Sequence, residues 1–86
     1  MSYIYEPEYR VLSDCLKTYR LQSKMTQKEL ADSLGFSQTY VCKYEQGQKR
    51  LDIIEVRKIC NCLGVDLREL ISEFEERLRM GGAANG

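Results

Sequence analysis

Four cysteines, Cys15, Cys42, Cys60 and Cys62, are the side chains of this 86-residue chain best suited to metal or redox chemistry. Their spacing argues against a metal site. Structural zinc sites draw on C-x₂₋₄-C pairs, whereas Cys60-x-Cys62 on a helix would turn its thiols to different sides. There is no histidine to complete a ligand set or to act as a base. No glycine loop has the phosphate-cradling pattern, and no nucleophile–base pair can be assembled. No catalytic residue, metal or cofactor is therefore expected.

A different chemistry is suggested by SQTYVCKYEQG, from Ser37 to Gly47. If Ser37 caps a short helix, then Gln38, Thr39, Lys43 and Gln46 turn outward, and Val41 and Tyr44 turn inward. A face kept only for solubility more usually carries Glu and Lys. Amides and a hydroxyl suit a surface with its own hydrogen-bonding pattern. The major groove of DNA admits one helix, and there glutamine can bond adenine twice, threonine can meet a thymine methyl, and lysine can reach guanine or a phosphate. The plain alternative is a solvated helix face. Cys42 lies on the outer side, between Gln38 and Gln46 in projection, and reads as a small filler rather than a reactive thiol.

Charge supports contact with a polyanion in the middle of the chain. Thirteen basic and thirteen acidic residues cancel overall. From Arg10 to Arg50, eight basic side chains face four acidic ones, a balance of +4. The first nine residues and the stretch from Leu51 onward each carry −2, so neither is suited to a polyanion. No apolar run approaches the roughly 20 residues that span a bilayer, and no secretory leader is visible. A cytoplasmic protein with reduced thiols is expected, nucleoid-associated when bound to DNA, with no membrane and no small-molecule ligand evident.

The elements that must position residues 37–47 are five helices. Pro7 suits the first turn of helix one, which carries an apolar face of Tyr9, Leu12, Leu16 and Tyr19 and ends at Ser23 and Lys24. Thr26-x-x-Glu29 is a capping box for helix two, which buries Leu30, Ala31 and Leu34 and stops at Gly35. Gly47 closes helix three. Asp52-x-x-Glu55 and Asp66-x-x-Glu69 repeat the start signal for helices four and five. Ile53, Val56, Ile59, Cys60 and Leu63 form the buried stripe of helix four, and Leu67, Leu70, Ile71, Phe74 and Leu78 run along helix five. Gly64 ends helix four. The expected organisation is a single all-α domain over residues 1–80, with residues 81–86 a flexible tail.

Two short helices around a glycine turn, the second with a polar outer face, describe a helix-turn-helix. The run T-Q-x-E-L-A-x-x-x-G-x-S-x-x-x-V-x-x-x-E-x-G from Thr26 to Gly47, extended by Leu63-Gly64-Val65 and Leu70, resembles the phage repressor/Cro-type (XRE, lambda-repressor-like) DNA-binding family. The resemblance implies a five-helix fold and a transcriptional regulator that binds a palindromic operator as a homodimer. By position it implies base reading by Gln38, Thr39 and Lys43, and DNA-backbone contacts from Gln27, Ser37, Gln46, Lys49 and Arg50. Tyr40 occupies a flanking position, either touching phosphate through its hydroxyl or packing beside helix two. Arg20 and Glu45 match an ion pair of the family between helices one and three, a structural role. Leu51 stands where the family often has proline, so a less fixed loop is expected there.

One recognition helix reads too few base pairs to find a genomic site, and a two-fold dimer doubles them. Ile71, Phe74 and Leu78 continue the stripe of helix five and are the expected dimer patch. The alternative cover for that stripe is Tyr3-Ile4-Tyr5 of the same chain. A second function class, an antitoxin or protein-interaction module on the same fold, fits these residues too.

Overall fold

Pro7 opens the first helix at a position where its missing N–H costs no intrahelical bond. This helix, α1 (Pro7–Gln22), is the first of five in the computed structural model, which describes residues 7–80. It is followed by α2 (Gln27–Leu34), α3 (Gln38–Glu45), α4 (Ile53–Leu63) and α5 (Leu67–Arg79), with no strand among the described residues. This is the five-helix arrangement expected, with α2 and α3 as the helix-turn-helix. Tyr3–Tyr5 and the tail 81–86 lie outside the described residues.

Local signals account for most of the boundaries. The Thr26–Glu29 box is complete, its hydroxyl accepting from the Glu29 N–H at 3.0 Å and its own N–H donating to Glu29 Oε1 at 2.8 Å. Asp52 and Glu55 pair in the same reciprocal way. The third signature behaves differently. Asp66 caps α5 by accepting from the Arg68 N–H at 2.7 Å, and the Arg68 guanidinium grips the same carboxylate. Those hydrogen bonds from Arg68 hold the Asp66 carboxyl down at about 2, so arginine rather than Glu69 completes this cap. Between α2 and α3 the chain reverses at Gly35, whose φ of +77° is strained for any side chain. The Phe36 N–H then returns to the Ala31 carbonyl at 3.0 Å, a closure that satisfies a carbonyl at the helix end.

The core is built where the helices converge. Cys15, Leu16, Leu30, Val41, Tyr44, Ile59, Cys60 and Leu70 are completely or almost completely buried. α1 contacts α3, α4 and α5, and α2 packs against both α3 and α4. Because α1 is covered from several directions, its buried surface is broader than a four-residue stripe. Val11, Cys15 and Leu16 are the buried apolar positions, while Tyr9, Leu12 and Tyr19 of the expected face are half-buried.

Two further expected core positions fall short of burial, and one of them, Leu34, is half-buried. Ile53 does not join the buried stripe of α4: it is 57% exposed. It is the first residue of α4 and lines an open groove rather than the closed core. Leu51, in contrast, is buried in the core, and its carbonyl accepts from the Tyr9 hydroxyl at 3.3 Å. The loop after Gly47 is thus anchored by apolar burial and a long-range hydrogen bond in place of a proline. Leu12, Leu51, Ile53, Val56, Ile71 and Phe74 line an open apolar groove between α1, α4 and α5.

Candidate nucleic-acid interface

The Ser37 hydroxyl accepts from the Tyr40 N–H at 3.2 Å and so starts α3. From that start the helix presents two unlike faces. Val41, Tyr44 and Glu45 are buried, whereas Gln38, Thr39, Lys43 and Gln46 are exposed together. Burial pushes the Tyr44 phenol well above its ordinary range, so it remains neutral and contributes as an apolar ring. The outward side chains are two turns of amide, hydroxyl and ammonium groups on a helix seated firmly from beneath. Cys42 is half-buried, and its sulfur accepts from the Gln46 amide at 3.4 Å.

A buried polar network sets the angle at which α3 is held. The Arg20 guanidinium donates to both oxygens of Glu45, at 2.7 and 3.0 Å, and to the Met25 carbonyl at 2.8 Å. Both side chains are nearly inaccessible. The hydrogen bonds it donates to Glu45 hold Arg20 above its already high pKa, so the guanidinium stays charged. Gln27, at the first position of α2, donates its amide to Glu45 Oε1 at 3.0 Å. A carboxylate can only accept, which fixes the amide orientation and leaves the second N–H of Gln27 unspent among the described residues. One cluster thus connects the end of α1, the start of α2 and the end of α3.

Tyr40 is packed within its own chain. Its ring packs against Phe36 with centroids 4.6 Å apart and planes tilted by 51°, and meets Tyr44 edge-on at 5.7 Å. Its hydroxyl donates to Glu55 Oε2 at 2.9 Å, and burial together with that bond raises its pKa. Packing is what the geometry shows for this side chain. Lys49 lies over the Tyr40 ring, 5.3 Å from its centroid, and 3.8 Å from the same Glu55 oxygen. Arg50 lies over the Tyr9 ring at 5.0 Å. The loop cations are therefore seated on aromatic faces. Sequence reasoning did not identify Glu55 as the link between the α4 cap, Tyr40 and Lys49. Only its capping role has a local signal.

Ser37, Gln38, Thr39, Gln46, Lys49 and Arg50 fall on α3 and its two flanks, and Gln27 is tied to the end of α3 through Glu45. Comparison with known proteins bears on this arrangement. Residues 16–70 match the helix-turn-helix family. The chain belongs to the XRE-type helix-turn-helix family. An uncharacterized helix-turn-helix-type transcriptional regulator of Bacillus subtilis (strain 168) is 36% identical over 71% of this chain and 53% of its own length. The curated relatives first matched are spanned over 66% and 53% of their length. Among solved structures, an XRE-family like protein from Pseudomonas syringae pv. tomato str. DC3000 is 40% identical, with a TM-score of 0.75 over 80% of this chain and 84% of that one. The wild-type restriction-modification controller protein C.Esp1396I shares the fold at a TM-score of 0.79 and 24% identity, over 84% of this chain and 95% of its own. The matched span in this XRE-type chain contains α2, α3 and every residue of the Arg20–Glu45–Gln27 cluster.

Proposed function

We propose that this chain is a sequence-specific transcriptional regulator that inserts α3 into the major groove and binds a palindromic operator as a homodimer. The observation that carries the reading is the two-faced α3: a buried underside locked by Val41, Tyr44 and Glu45, and an exposed row of Gln38, Thr39, Lys43 and Gln46. Gln38, Thr39 and Lys43 read base edges, because amide, methyl-bearing hydroxyl and ammonium groups are the partners those edges offer. The Ser37 hydroxyl proton, the second Gln27 N–H, Gln46, Lys49 and Arg50 grip the backbone. Tyr40 and Glu55 hold Lys49 for that contact. Membership of the family and the description of the Bacillus relative as a transcriptional regulator support the assignment.

The homodimer rests on the groove between α1, α4 and α5. Ile71 is 42% exposed and lines the groove with Ile53 and the half-buried Phe74, and the half-buried Leu78 follows on α5. An apolar surface of this kind suits a self-complementary two-fold contact. Two copies of the domain over residues 1–80 would then present one recognition helix each to successive major grooves. Selection of bound sites from random duplex DNA tests the whole reading. Enriched sequences should show two inverted half-sites about 34–36 Å apart. Recovery of unenriched DNA, or of a single unpaired half-site, would contradict it.

A further inference from the structure

Arg10 was counted in the basic middle of the chain but given no role. Its side chain crosses from α1 to the far end of α3, where Nη1 donates to the Gln46 carbonyl at 3.4 Å. Its guanidinium also lies against Gly47, with Nη1 3.7 Å from where a Cβ at that residue would stand. Gly47 has a φ of +76°, the backbone conformation that favours glycine there. Arg10 is exposed and makes no ion pair among the described residues. Its neighbour Tyr9 bonds the Leu51 carbonyl and carries Arg50 on its ring. The first turn of α1 therefore touches the α3–α4 loop at both ends, and brings a third cation to a loop that already holds Lys49 and Arg50.

We propose that Arg10 contacts the DNA phosphate backbone, extending the interface from the α3–α4 loop onto the first turn of α1. A guanidinium has five donors in a planar fork that matches phosphate oxygens, and Arg10 spends one of them on the protein. Lys49 shares its charge with Glu55, whereas no carboxylate among the described residues offsets Arg10. The rival role is purely structural, a cation closing the carbonyl end of α3.

The inference rests on the proposed DNA-binding function, and the test separates the two. Affinity of the full chain for its selected operator and for a random duplex is measured by fluorescence anisotropy between 50 and 200 mM salt, for wild type, Arg10→Gln, Arg10→Lys and Lys49→Ala. Arg10→Gln keeps a donor for the Gln46 carbonyl and loses the charge. It should weaken binding to both duplexes by about eightfold per chain near 0.1 M salt and flatten the log–log salt slope by about 0.9 per chain, while Arg10→Lys keeps the slope. If Lys49→Ala flattens the slope and Arg10→Gln leaves it at the wild-type value, with or without a lower melting temperature, Arg10 is a structural cap and the inference is overturned. If the wild-type chain shows no salt-dependent duplex binding, the functional reading fails first and takes this inference with it.

Discussion

At the level of single residues, the distinction between reading a base and gripping a phosphate becomes measurable. Gln38 is exposed on the outer row of α3 and has no hydrogen-bond partner to lose among the described residues. Gln38→Ala should therefore leave stability unchanged and cost about 1–3 kcal/mol at one operator base pair. Substituting that base pair should recover the same energy as a reduced mutant penalty. A Gln38→Ala defect of equal size on operator and random DNA would mean that the glutamine does not discriminate. The side chains on this row were legible because residue type and helical spacing alone place them outward. Tyr40 and Arg10 were not. The partner of the Tyr40 hydroxyl is fifteen residues away and that of the Arg10 guanidinium thirty-six. No periodic pattern encodes such a pairing, since it depends on how two helices approach after the core has formed.

The helices themselves show the same division between local and non-local causes. Thr26–Glu29 and Asp52–Glu55 close within four residues of sequence, so their caps could be read directly. Asp66–Glu69 carries the same letters, but a guanidinium two residues away competes for the carboxylate. Ile53 looked buried because α4 has helical periodicity, and periodicity does not say where a neighbouring helix ends. What orients α3 is the Arg20–Glu45–Gln27 cluster, and there the energetics are steep. Removing Arg20 leaves the Glu45 carboxylate buried, with only Gln27 still bonded to it. Arg20→Met should destabilise the domain by about 3–5 kcal/mol at neutral pH, read as a lower urea midpoint at unchanged m-value. The double variant Arg20→Met/Glu45→Met removes the stranded charge and should regain a large part of that loss. A double variant as unstable as the single one would show that packing, rather than charge, holds the two helices together.

For the molecule as a whole, the charge balance and the apolar groove divide the surface between two tasks. Lys43 lies on α3, and Arg10, Lys49 and Arg50 meet the loop that follows it, whereas the stretch from Leu51 onward is net acidic and carries Ile53 and Ile71 at the groove. A two-fold contact through the groove would keep α5 off the polyanion and leave both copies of α3 free for it. Phe74 is a poor probe of that contact, since its ring packs on the core of its own chain and a charge there would unfold the domain as well as any dimer. Ile71 is the sharper choice because a substitution at an exposed helical position normally shifts stability by no more than about 0.5 kcal/mol. Sedimentation of Ile71→Glu should show a monomer with an unchanged thermal midpoint. Its affinity for a palindromic operator should fall about 10²-fold or more, toward that of one half-site, because the second half is no longer tethered to the first. Affinity for an isolated half-site should stay at the wild-type level. A dimer that survives Ile71→Glu would exclude the groove as the two-fold contact while leaving α3 and its bases untouched, since the recognition helix and the groove are built on separate faces of one core.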